Sequence, residues 1–219
     1  MKDERNYGID LLRLVLMYMV CILHTQGQGG ILEACELGTA EYRTFWFIEI
    51  LSYCAVDGFA IISGYTAVDK PRRFEKLADM WFQAFFYSFV VTVILTIAGL
   101  NPSWSVKSLI KRAMPVTFGT FWYFTAFFAL FFAIPVLNRF VFAVDERTAR
   151  IALIVMVVLF SCIELQTGVF KMDRGYSVFW LMVLYCMGAL AKRGRVFERK
   201  RTVTLAAMWM ACIFLTWYV

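Results

Sequence analysis

The sequence predicts an all-α fold, a polytopic transmembrane helix bundle of about seven spans with its N-terminus in the cytoplasm. Three observations predict it. Hydrophobic residues make up 61% of the 219 and charged residues only 17%, against about 45–50% and 25% in an ordinary soluble chain. A globule of this size has too little interior to hide that much apolar surface, so most of it is expected to face lipid. The apolar residues fall into runs near the ~20 residues that a spanning helix needs. Finally, the Lys and Arg between the runs divide unequally between alternate loops, which fixes the orientation.

The runs lie at roughly 8–26, 44–68, 80–100, 117–138, 150–167, 176–191 and 202–219. The sixth is short, and Pro135 is expected to kink or end the fourth. Arg13 interrupts the first run, and TQGQGG after it offers no small-x-small cleavage site, so the run reads as a retained helix rather than a signal peptide. The N-terminal segment, the loops at 69–79, 139–149 and 192–201, and Arg150 beside the second of these loops carry fifteen Lys and Arg, against six on the opposite side. That assigns the first group to the cytoplasm and leaves Val219 outside. The net charge of +6 is therefore loop charge facing anionic lipid, and nucleic acid is not expected as a partner. The six Cys form no CxxC pair, so they read as small apolar residues, with neither a metal site nor a disulfide framework. Residues 1–219 form a single integral membrane domain, expected in the cell membrane as a multi-pass protein.

Charged groups inside a bilayer are costly and mark function by default. The first run holds Asp10, Arg13 and His24, the chain's single His. At about 100° per residue, eleven steps bring His24 within about 20° of Arg13 and fourteen bring it within about 40° of Asp10, so the three share a helix face. Asp10 and Arg13, three apart, can pair. Eleven residues at about 1.5 Å rise separate Arg13 from His24 by about 16 Å along the axis. Arg13 is then an anion-binding group near the inner end, because guanidinium is forked and permanently charged. His24 is a proton-transfer group near the outer end, because imidazole as a residue type exchanges protons near neutral pH. The plainer alternatives are an Arg13 snorkelling to the inner interface and a His24 sitting at the outer rim. The second run adds Glu49, Asp57 and Ser63. Gly58 and Gly64 suit close helix approach. Ser63 lies in no nucleophile elbow and reads as a packing or hydrogen-bonding residue.

Arg13, ten intervening residues and His24 resemble the R-x10-H motif of the membrane acyltransferase-3 family. AVDGFAIISGYTA resembles that family's second-helix segment at Val56, Asp57, Phe59, Ser63 and Gly64, with Tyr65 in place of the usual Phe. FGTFWYFTAFFALFFAIPVLNRF resembles a later segment, matched by Trp122, Tyr123 and Pro135. The resemblance implies an integral membrane acyltransferase that carries an acyl group, in the first instance acetyl, from cytoplasmic acyl-CoA to a hydroxyl at the outer face. Acyl-CoA is then a donor substrate rather than a bound cofactor, and the acceptor a cell-surface glycan or a small hydroxyl compound. It makes His24 the catalytic residue, as general base or transient acyl carrier, with Arg13 contacting the donor and Asp10 holding Arg13. Arg72, Arg73 and Lys76 are donor-contact candidates, and Asp57, Ser63 and Trp122 are binding candidates. Two departures stand out. The family's basic run after its second helix is reduced here to Arg73 and Lys76, followed by Asp79. Family members also have about ten spans, so the chain is expected to be incomplete at its C-terminus. The runner-up reading is a transporter or substrate-binding membrane module using the same polar stripe without chemistry; a third is a structural partner subunit.

Overall fold

The computed structural model describes residues 6–71, 73–100, 105–197 and 202–218. It is all-α, with no strand among the described residues. Helix α1 (Tyr7–Leu23) begins at Asn6, whose side chain accepts from the amide of Ile9, and runs without a break into a π turn at His24–Gln28. A short helix α2 (Ile31–Ala34) leads to α3 (Ala40–Ser52) and α4 (Ala55–Ala67). Helices α5 (Phe74–Phe85) and α6 (Val91–Ile97) are joined by a π segment, Phe86–Val90. Then follow α7 (Val106–Ala113), α8 (Trp122–Phe142) and α9 (Glu146–Val157), the last continuing through Val158–Ile163 into α10 (Glu164–Thr167). Helices α11 (Val178–Arg193) and α12 (Thr202–Tyr218) complete the chain.

Four helical stretches are long and apolar enough to cross a membrane: Tyr7–Gln28, Ala40–Ala67, Phe74–Ile97 and Trp122–Phe142. They correspond to the first four expected runs. The second run contains a break that its sequence does not announce, at Tyr53–Cys54 between α3 and α4. Pro135 does not end α8, which continues seven residues beyond it to Phe142. Ile134, Val141 and Leu130 of this helix are buried, so packing holds it through the lost backbone bond.

The short sixth run becomes the centre of the bundle. Nine of the sixteen residues of α11 are buried, and its neighbours are α4, α8 and α9. Gly64 on α4 and Gly188 on α11 set the closest approach. A Cβ on Gly64 would collide with the carbonyl oxygen of Tyr185, and one on Gly188 with that of Ile61. Gly58 does the same against the Leu16 side chain of α1. Tyr185, fully buried, donates from its hydroxyl to Asn138 Oδ1 at 2.9 Å, and Asn138 Nδ2 donates to the Val68 carbonyl at 3.2 Å. One polar chain thus ties α11, α8 and the end of α4.

Three loops meet at one end of the bundle. Lys192 pairs with Asp69 at 2.5 Å, Arg193 Nε donates to the Val144 carbonyl at 3.0 Å, and Arg150 reaches both Glu146 (2.6 Å) and the Gly194 carbonyl (3.4 Å). Among the described residues, the segments that follow α4, α8 and α11 therefore meet at one end.

Candidate active site

Helix α1 is α-helical from Arg13 to Leu23, and His24 follows as its C-cap with right-handed helical backbone. Arg13 Nη1 lies 3.5 Å from Asp10 Oδ1, both side chains about two-fifths exposed (43% and 35%). Arg13 Nη2 donates to Thr66 Oγ1 at 3.3 Å. The Thr66 hydroxyl itself donates to the Ile62 carbonyl at 2.8 Å, which turns its lone pairs outward to receive the guanidinium. Arg13 is thus held against the end of α4.

His24 stands at the opposite end of α1 and is exposed. It is the first residue of the π turn His24–Gln28. A π turn widens the helix by one residue per turn and recurs at functional sites. Here it also turns Gln26 inward, where it is buried with Oε1 unpartnered among the described residues. Two further π segments occur at Phe86–Val90 and Val158–Ile163, so the feature is not unique to His24.

Asp57, on the first turn of α4, accepts from Trp180 Nε1 at 2.9 Å. Trp180, Trp122 and Tyr123 pack against the same buried core. Trp122 packs edge-on against Tyr123 at 5.6 Å between centroids and lies 4.7 Å from Tyr176. Asp57 and Trp122, both candidates from the sequence, are thereby brought into one cluster with Trp180 and Tyr176, which the sequence did not single out. Ser63 Oγ donates to the Phe59 carbonyl of its own helix at 2.8 Å. Arg73 and Lys76 are exposed at the start of α5, one turn apart; Arg72 lies outside the described residues. Glu49 is buried in α3, with Oε2 unpartnered among the described residues.

The chain therefore presents a guanidinium seat at one end of α1, an exposed imidazole at the other, and an aromatic–carboxylate cluster on the facing helices. Thr66 and Trp180 are among the residues that sequence reasoning missed. Their partners lie 53 and 123 residues away, and no local spacing signals them.

Comparison with curated proteins gives no match, and neither does comparison with solved structures. The family model described as the acyltransferase domain of the acyltransferase-3 family matches residues 6–219. That span covers nearly the whole chain and contains every candidate residue named above, so the chain belongs to the acyltransferase-3 family of membrane acyltransferases.

Proposed function

We propose that the chain transfers an acyl group, acetyl in the first instance, from cytoplasmic acyl-CoA to a hydroxyl of a glycan or small acceptor at the outer face of the cell membrane. The observation that carries this reading is the division of α1. Arg13 is seated between Asp10 and Thr66 near one end, and His24 is exposed about three turns, or about 16 Å, further along the same face. An extended donor, with anionic groups at one end and a thioester at the other, uses both.

In this reading Arg13 binds donor phosphate by charge-assisted hydrogen bonds, and Asp10 and Thr66 orient it. Arg73 and Lys76, at the start of α5, add positive charge for the donor. His24 acts as general base. It takes the proton of the acceptor hydroxyl as that oxygen attacks the thioester carbonyl carbon. The C–S bond then breaks, and the imidazolium returns the proton to the departing thiolate. The acceptor approaches from the side of Trp122, with Asp57 and Ser63 on the neighbouring helix. The N-terminus and the three basic loops lie in the cytoplasm in this orientation.

The test is thioester cleavage and acyl transfer by the purified chain in nanodiscs supplied with acetyl-CoA and a hydroxyl acceptor. The reading expects both activities, and loss of transfer in His24→Ala. A transporter would bind or move solute and leave the thioester intact, which would overturn it.

A further inference from the structure

The end of the bundle where the basic loops meet contains a cleft of about 240 Å³. Val68 and Val141 give it an apolar floor, and Asp69, Lys192, Arg193 and Arg195 line it. From the sequence these cations are topology determinants. Their geometry says more.

Three cations share the cleft with one carboxylate. Lys192 is paired with Asp69 at 2.5 Å. Arg193 is anchored through Nε to the Val144 carbonyl, which leaves its two terminal nitrogens as a pre-oriented fork. Arg195 takes the left-handed position that closes α11, φ 50, its amide donating to the Lys192 carbonyl and that of Val196 to the Ala191 carbonyl, so the helix end itself sets Arg195 beside Arg193. The cavity is below the ~300–1,000 Å³ of a site that encloses a whole small ligand, so it suits one charged group of a larger molecule. Asp69 follows Thr66, the seat of Arg13, by three residues, so the cleft and Arg13 flank the same end of α4.

We propose that this cleft is a phosphate subsite, separate from Arg13, in which Arg193 and Arg195 hold a phosphate or diphosphate group. Within the acyltransferase reading, on which the assignment to donor rests, that group belongs to acyl-CoA. The same chemistry could be met by an anionic lipid headgroup, and the experiment separates the two.

The full chain is placed in phosphatidylcholine nanodiscs and its affinity for coenzyme A is measured by calorimetry, for wild type, Arg193→Gln, Arg195→Gln, the double variant and Asp69→Asn. The double variant is expected to lose about ten- to a hundredfold in affinity. Asp69→Asn is expected to gain severalfold, because it releases Lys192 to the phosphate; a misfolded variant cannot mimic a gain. In a second arm, native mass spectrometry counts phosphatidylglycerol retained from mixed nanodiscs. Unchanged coenzyme A affinity with lost phosphatidylglycerol retention in the double variant supports the phosphate subsite with lipid as its source. If wild type binds no coenzyme A, the acyltransferase reading fails while the lipid arm still tests the cleft. Unchanged binding in both arms overturns the proposal and returns Arg193 and Arg195 to topology alone.

Discussion

Arg13 Nη2 and Thr66 Oγ1, 3.3 Å apart, join the beginning of α1 to the end of α4. The contact is directional because the Thr66 proton is already committed to Ile62. Thr66→Val keeps the branched shape and removes the acceptor. It should lower coenzyme A affinity by a few-fold, whereas Arg13→Ala should cost about 10- to 150-fold, the worth of a charge-assisted contact of ~1.5–3 kcal/mol. Arg13→Lys should restore part of the loss, since ammonium lacks the fork. Calorimetry on the purified variants checks the order; equal affinity for wild type and Arg13→Ala would reduce Arg13 to an interfacial anchor.

Removal of His24 should act on the other half of the reaction. His24→Ala should slow transfer by about 10²–10⁴-fold and leave coenzyme A affinity near wild type, because the imidazole stands about 16 Å from the guanidinium. Its exposure means that the helical circular dichroism and melting profile should not change. A parallel loss of donor binding would break this division of labour.

Asp57 and Trp180 should be coupled. Trp180→Phe removes the 2.9 Å donor and keeps an aromatic ring, which should destabilise the bundle by about 1–3 kcal/mol through the deprived carboxylate. Asp57→Leu should make the further loss of the indole N–H nearly silent. A double-mutant cycle in denaturant measures the interaction directly, and additive effects would show that the contact contributes little.

The glycine crossing predicts a steric failure rather than a chemical one. Gly64→Ala and Gly188→Ala each drive a methyl into a facing backbone carbonyl, which cannot rotate away as a side chain can. Each should cost at least the ~1–3 kcal/mol of ordinary overpacking, visible as a lower melting temperature or poor recovery of folded protein. Gly27→Ala, where a Cβ meets nothing, serves as the control.

Orientation is testable by single-cysteine labelling in a cysteine-free background. Cysteine placed at Arg195 or Asp145 should resist an impermeant reagent added from outside and react after permeabilisation. Labelling of both from outside would reverse the assignment and, with it, the side from which the donor arrives.

Much of this fold is legible in the sequence because lipid imposes a blunt requirement. The four long apolar helices announce themselves by length and composition, and Asp10 with Arg13 by a three-residue spacing. The α3–α4 break is not legible, since neither Pro nor Gly marks Tyr53–Cys54. Pro135 misleads in the other direction, because its effect depends on the helices around it. At the candidate site, the two ends of α1 are readable as a local pattern, and Gly64 as a small residue in an apolar run. Thr66, Trp180 and Gly188 emerge only when distant helices cross, since each acquires its meaning from a partner on another element. The basic turn after α11 is the instructive case. Its charges are obvious in the sequence, but their convergence with Asp69 depends on how α4 and α11 pack.

The contact of Gly64 with the Tyr185 carbonyl, and of Gly188 with that of Ile61, leaves α4 and α11 no slack along their common axis. No side chain larger than hydrogen fits at either position, so the two helices keep one separation there. Asp57 and Trp180 lie on one side of the crossing, while Thr66, Asp69 and Lys192 lie on the other. The crossing therefore acts as a spacer that sets the distance between the aromatic–carboxylate cluster and the basic cleft.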